Sequence, residues 1–341
     1  MAGLTTFAEA WRVAIPAALA TFAASVAATR AVLGWLRHRQ ILDHPNERSS
    51  HSRPTPRGGG LAVTSVLAAV LIALRCRYPV LLEGLELGVG ALGLMALSWW
   101  DDRKGLPALP RFAAHAAICA LFLALTPPDW LVFQGWLPFW VDRALALLGW
   151  LWFVNLYNFM DGIDGITGVE TACVGAGLAV VCALTGEVRL LPPAGVTAAA
   201  ALGFLVWNWH PARIFLGDSG SIPLGFILGG LLVHLAARGQ LAAALILPAY
   251  YVADASITLL WRLRDGETIW QPHRRHFYQR AVRGGQSHAR VSLAILGGNV
   301  LLIGCACLAA MDHTAIATLS ALAVVAGLLG LLTRWSGGLV R

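Results

Sequence analysis

Apolar residues fill this chain in runs of roughly 20, the length that crosses a bilayer as a helix, and short polar segments separate one run from the next. Eleven runs occur, near 11–34, 59–76, 83–100, 111–126, 143–157, 166–184, 190–208, 219–237, 240–261, 290–310 and 314–334. The pattern predicts an all-α polytopic membrane protein with about eleven transmembrane helices, organised as a single integral membrane domain over residues 1–341. The longest polar segments are 36–58 and 262–289, and no internal repeat, low-complexity tract or soluble domain interrupts the series. Chemistry is therefore expected in the loops and at the helix ends.

Composition agrees: of 341 residues, 57% are hydrophobic and 13% charged, far from the balance of a soluble domain. The basic residues are distributed unevenly. Arg37, Arg39, Arg48, Arg53 and Arg57 follow the first run, Arg103, Lys104 and Arg111 the third, and seven arginines lie from Arg262 to Arg290. The alternate loops hold only Arg75, Arg77, Arg143, Arg189 and Arg238. By the positive-inside rule the N-terminus is expected outside and the C-terminus inside. The small residues Ala27 and Ala28 suggest signal-peptide cleavage, but export of the basic loop that follows would violate that rule, so the first run is read as a retained span. The net charge of +7 is accounted for by arginines bordering spans, which leaves little reason to expect nucleic acid. The six cysteines lie in or beside apolar runs, with neither a CxxC pair nor metal-ligand spacing.

Three acidic groups stand at run ends that this orientation places on the cytoplasmic side. Carboxylates are costly in hydrocarbon, so their collection at one rim suggests a shared task such as holding a metal and phosphates. Asp101 and Asp102 oppose the dipole of the helix they close, so helix stability alone does not explain them. Lys104, the single lysine, follows them closely. The segment from Asn158 to Asp164, NFMDGID, puts Asn158, Asp161 and Asp164 on one face if helical, and lacks the spacing of a calcium loop. The segment from Asn208 to Ser221 carries Phe215 and GDSGS, where Asp218 can face a cation while nearby amides face phosphate. Pro54 to Gly60, PTPRGGG, offers Arg57 beside flexible glycines, either a phosphate-binding turn or a basic loop with a glycine helix start. His273 and His276, flanked by Arg274 and Arg275, lack a third nearby zinc ligand and read better as phosphate donors or a lipid-facing basic surface. Asp254, inside the ninth run, is a functional candidate, with an arginine partner as the alternative.

Taken in chain order, from PTPRGGG through the Asp101–Asp102 pair, NFMDGID and GDSGS to the histidine segment, these five segments resemble the polyprenyl-phosphate N-acetylhexosamine-1-phosphate transferases across nearly the whole chain. His273-Arg-Arg-His276 and the absence of DDxxK spacing resemble the branch that initiates bacterial O-antigen and cell-surface polysaccharides more than the phospho-N-acetylmuramoyl-pentapeptide transferases. The resemblance implies transfer of a sugar 1-phosphate from a UDP-N-acetylhexosamine to undecaprenyl phosphate, with release of UMP, at the cytoplasmic face of the bacterial inner membrane. It implies Mg²⁺, with Mn²⁺ as a substitute, on Asp218, assisted by Asp101, and a catalytic set of Asp101, Asp102, Asp218, His273 and His276. Asn158, Asp161, Asp164, Asn208 and Phe215 would line the nucleoside site, and Arg57, Arg274 and Arg275 would complete the substrate contacts. The lipid bilayer and a second copy in a homodimer are the other partners expected. A transporter would concentrate its ionisable groups near the midplane, and an intramembrane prenyltransferase would carry two DxxxD-type motifs. The chain shows neither pattern.

Overall fold

A computed structural model describes residues 7–45, 53–78, 83–268, 271 and 273–337. Arg48 of the first basic loop and Pro272, which opens the histidine segment, lie outside the described residues. The helices are α1 (Phe7–His38), α2 (Gly60–Arg77), α3 (Glu83–Lys104), α4 (Ala108–Leu125), α5 (Phe139–Phe159), α6 (Ile166–Thr185), α7 (Leu191–Asn208), α8 (Asp218–Leu235), α9 (Leu241–Ile246), α10 (Ala249–Arg264), α11 (Phe277–Arg283), α12 (His288–Ala310) and α13 (Thr314–Trp335). Among the described residues the strands are two residues each, β1 (Leu42–Asp43) and β2 (Thr55–Pro56), paired antiparallel. The all-α polytopic architecture is as expected.

Nine helices among the described residues are long and apolar enough to cross a membrane, against about eleven expected. The difference lies in α3, which ends in four consecutive charged residues, and in the run near 240–261, which is broken. Gly239 takes φ 89° after α8, and the chain then forms only α9 before Pro248 interrupts it. Proline lacks the amide proton and clashes with the preceding turn, so an apolar run long enough to span becomes two helices.

The core sits around α8. Every residue from Ser219 to Leu235 except Val233 is buried, which fits a helix apolar on all sides. Glycines on α8 let α5 approach: a side chain at Gly229 would enter the ring of Trp150, and one at Gly225 would press on Tyr157. Trp150 stacks on Phe226 at 4.9 Å and donates its indole N–H to the Phe226 carbonyl at 3.0 Å. The outer helices expose large apolar side chains such as Leu19, Leu121, Leu148 and Leu319, a surface suited to lipid. One end of the bundle collects the starts of α2, α6 and α8 with the ends of α3, α5 and α7, and the polar segments converge there.

Candidate active site at one end of the bundle

Two backbone segments far apart in sequence build the floor. The Phe215 N–H donates to the Pro56 carbonyl at 2.8 Å, and the Phe215 carbonyl accepts from the Gly58 and Gly59 amides at 3.1 and 2.8 Å. Gly60 N–H then reaches the Leu216 carbonyl at 2.9 Å. This ladder sets PTPRGGG against the loop before α8. It requires bare backbone: a Cβ on Gly60 would collide with the backbone of Gly220, and Gly217 takes φ 73° before α8 begins.

The ladder delivers Arg57 to the acids. Its Nη2 donates to Asp218 Oδ1 at 2.7 Å and lies 3.5 Å from Asp102 Oδ1. Burial works against the guanidinium's charge, but Asp218, Asp102, Asp43 and Asp161 outweigh it and hold its pKa above the ordinary value. Two carboxylates thus meet this guanidinium, and Asp43 and Asp161 act on it through their charge. A cavity of about 480 Å³ opens beside them, lined by Ile41, Leu42, Asp43, Arg57, Trp99, Asp102 and Arg103.

The adjacent acids of α3 do different work. Asp101 Oδ1 accepts from the Leu106 amide and Oδ2 from Arg111, both at 2.6 Å, so this carboxylate ties the end of α3 to the start of α4. Asp102 is the member of the pair that meets Arg57. Both oxygens of Asp101, expected to assist in holding a metal, are engaged in this anchoring contact.

The NFMDGID segment lies between α5 and α6. Asn158 Oδ1 accepts from the Ser221 hydroxyl on α8 at 2.7 Å, and Asp161 Oδ1 accepts from the Thr167 hydroxyl at 2.7 Å. Burial pushes the Asp161 carboxyl up from 3.8 to about 6; Thr167 and Arg57 oppose the rise, while Asp218 and Asp164 add to it. Asp164 is a hub for three segments. Its Oδ2 meets His210 Nδ1 at 2.7 Å, the Ala212 amide at 3.1 Å and His288 Nδ1 at 3.3 Å. Burial opposes ionisation, but His288, His210 and the Ala212 amide hold its carboxyl below the usual value. His210 and His288 did not stand out as site residues in the sequence. Only the fold brings the two to Asp164, so local spacing carried no signal.

Asn208 is turned to backbone: its Oδ1 accepts from the Gly165 amide at 3.0 Å and its Nδ2 donates to the Ile214 carbonyl at 2.9 Å. That geometry makes it a brace for the loop carrying Phe215 rather than a group aimed at a nucleobase. Phe215 is half-buried at the ladder.

The histidine segment folds over α10. Arg275 forms 2.6 Å ion pairs with Asp265 and Glu267, so its charge is spent locally. Arg274 is half-buried in the same loop. His273 accepts from the Arg275 amide at 3.2 Å, and burial, then the neighbouring His276 and Arg262, push its pKa down to about 3. His276 is buried and contacts Asp254 through Nδ1 at 3.0 Å. The arginine partner considered for Asp254 is replaced by this histidine.

An all-α membrane protein with carboxylates gathered around an arginine at one bundle end has the equipment of a membrane-embedded group-transfer enzyme. Residues 85–236 match glycosyl transferase family 4. The chain is 32% identical to the decaprenyl-phosphate N-acetylglucosaminephosphotransferase of Mycolicibacterium smegmatis, over 77% of this chain and 74% of that protein. It is 28% identical to a probable undecaprenyl-phosphate N-acetylglucosaminyl 1-phosphate transferase of Bacillus subtilis, over 75% of this chain and 73% of the relative. A phospho-N-acetylmuramoyl-pentapeptide-transferase of Thermosynechococcus vestitus is 31% identical, over 50% of this chain and 49% of its own length. The chain belongs to glycosyl transferase family 4 and is a multi-pass membrane phosphoglycosyltransferase.

Proposed function

We propose that the protein transfers an N-acetylhexosamine 1-phosphate from a UDP-sugar to undecaprenyl phosphate, releasing UMP and forming an undecaprenyl diphosphate sugar. An oxygen of the acceptor phosphate attacks the phosphorus that carries the sugar. A bond forms there as the bond to the UMP phosphate breaks, and UMP leaves with that electron pair. The reaction needs neutralised charge and alignment more than it needs an enzyme nucleophile.

The observation that carries this reading is the guanidinium of Arg57 held against the carboxylates of Asp218 and Asp102, within the field of Asp43 and Asp161. Carboxylates outnumber the guanidinium at this point, and their hard oxygens form a donor set that suits Mg²⁺, with Mn²⁺ as a substitute. Asp218 and Asp102 would hold the ion, which when bound neutralises phosphoryl oxygens and polarises the donor diphosphate. Arg57 is placed to pass from Asp218 to a phosphate as substrate arrives. Phe215 offers a ring for the uracil, held by the loop that Asn208 braces. Asn158, Asp161 and Asp164 line the donor side, and His273, His276 and Arg274 lie toward the phosphates.

The arginine-rich loops support a reading in which this end of the bundle faces the cytoplasm at the inner membrane, where a soluble nucleotide can meet a lipid acceptor. Undecaprenyl phosphate, the bilayer and a homodimeric partner complete the proposed setting, as the initiating step of cell-surface polysaccharide assembly. The names of the mycobacterial and Bacillus relatives make UDP-N-acetylglucosamine the first donor to try. Purified protein with undecaprenyl phosphate, Mg²⁺ and a panel of UDP-N-acetylhexosamines should release UMP and yield the lipid diphosphate sugar by mass spectrometry. No UMP from any donor in the panel would contradict the proposal.

A further inference from the structure

The bundle interior holds one carboxylate whose surroundings point outward to the site. Asp254, on α10, is fully buried and accepts from five donors. Oδ1 takes His276 Nδ1 at 3.0 Å, the Phe277 amide at 3.1 Å and the Thr258 hydroxyl at 3.3 Å. Oδ2 takes the Tyr250 hydroxyl at 3.1 Å and the Tyr278 amide at 3.4 Å. A carboxylate so supplied with donors is an acceptor, which puts the proton of the His276 imidazole on Nδ1. The other ring nitrogen, Nε2, is buried and has no partner among the described residues.

His276 is also held in place as a ring. It lies 4.8 Å from His273 and 5.6 Å from Tyr278, nearly parallel to the latter. Tyr278 in turn donates its hydroxyl to the Phe159 carbonyl at 3.2 Å, and that hydroxyl with the Gln279 amide covers Gly162 of NFMDGID. The tyrosine on which the histidine stacks is therefore seated against the loop that carries Asp161, and the histidine beside it keeps an unsatisfied nitrogen. Most buried polar atoms are paired within the chain, so an unpaired one beside a candidate site is a place for a ligand group to bind.

We infer that Asp254 is a positioning residue that acts through His276: it fixes the ring with Nδ1–H toward its carboxylate and offsets the charge the ring gains when Nε2 takes up a proton in the substrate complex, so that Nε2–H then donates to a phosphate oxygen during transfer. The inference rests on the transferase reading and deepens it. Capping of α11 by Asp254 is a purely structural alternative, because the Phe277 and Tyr278 amides also bind this carboxylate.

A double-mutant cycle separates the two. Asp254→Asn keeps the shape and an acceptor for Nδ1–H but removes the charge; it should lower kcat on the order of 100-fold, the scale of a lost proton donor, with KM for both substrates within about threefold. In a His276→Gln background the same change should cost less than about threefold, since the group it acts through is gone. Asp254→Glu, which keeps the charge at a different reach, is the second variant: its turnover defect should likewise vanish in His276→Gln. Absence of transfer by the wild-type protein would overturn the transferase reading itself. Wild-type transfer, with Asp254→Asn or Asp254→Glu costing as much without His276 as with it, or raising KM and leaving kcat intact, would overturn the role of Asp254 alone.

Discussion

Asp101 and Asp102 illustrate how much a single position decides. Neighbours in sequence, they point to different partners, one to Arg111 and the Leu106 amide, the other to Arg57. The sequence identified the pair as out of place on dipole grounds but could not divide it, because side-chain direction at a helix end depends on what packs opposite. Asp161 carries a testable consequence at this scale. Its carboxyl is raised from 3.8 to about 6, so the folded state favours the protonated form. The stability this contributes is complete below about 3.8 and lost as pH climbs through 6. Ligand-free protein in detergent should therefore lose several degrees of melting temperature between pH 4 and 7 relative to Asp161→Asn. Parallel melting curves for the two proteins across that range would show that burial does not strain this carboxylate.

Elements were legible where apolar length alone defines them, and less so where one residue interrupts a run. Pro248 divides a stretch that composition reads as continuous, and α9 and α10 result. The glycines of PTPRGGG were visible as places of close approach, yet the surface they approach was not. It is the α8 start, where Gly60 and Gly220 leave no room for a Cβ between backbones. Gly60→Ala should push α2 from α8 and draw Arg57 away from Asp218, lowering turnover by on the order of 100-fold, since a displacement of about 1 Å is enough for such a loss. Gly149→Ala on α5, where an added Cβ meets nothing within 4 Å, is the matching control and should leave turnover unchanged. Equal activity in both variants would mean that the α2–α8 contact does not position the site.

Across the whole molecule, the convergence of Asp102, Asp161 and Asp218 was foreseeable from the alternation of basic and neutral loops, because charge assigns each helix end to a side without any knowledge of packing. Contacts between residues far apart in sequence were not. His210 and His288 reach Asp164 across α7 and α12, and His276 finds Asp254 in the interior of α10, pairings that only the assembled bundle creates. The gathering of carboxylates around Arg57 as a cation-dependent transfer site is tested most directly by UMP release from UDP-N-acetylglucosamine and undecaprenyl phosphate, comparing the wild-type protein with Asp218→Asn. Wild-type release should stop with excess EDTA and return with Mg²⁺, and Asp218→Asn should be slower by at least about 100-fold at any Mg²⁺ concentration while melting as the wild type does. Full release in EDTA, or an Asp218→Asn protein as fast as the wild type, would contradict a metal held at the start of α8.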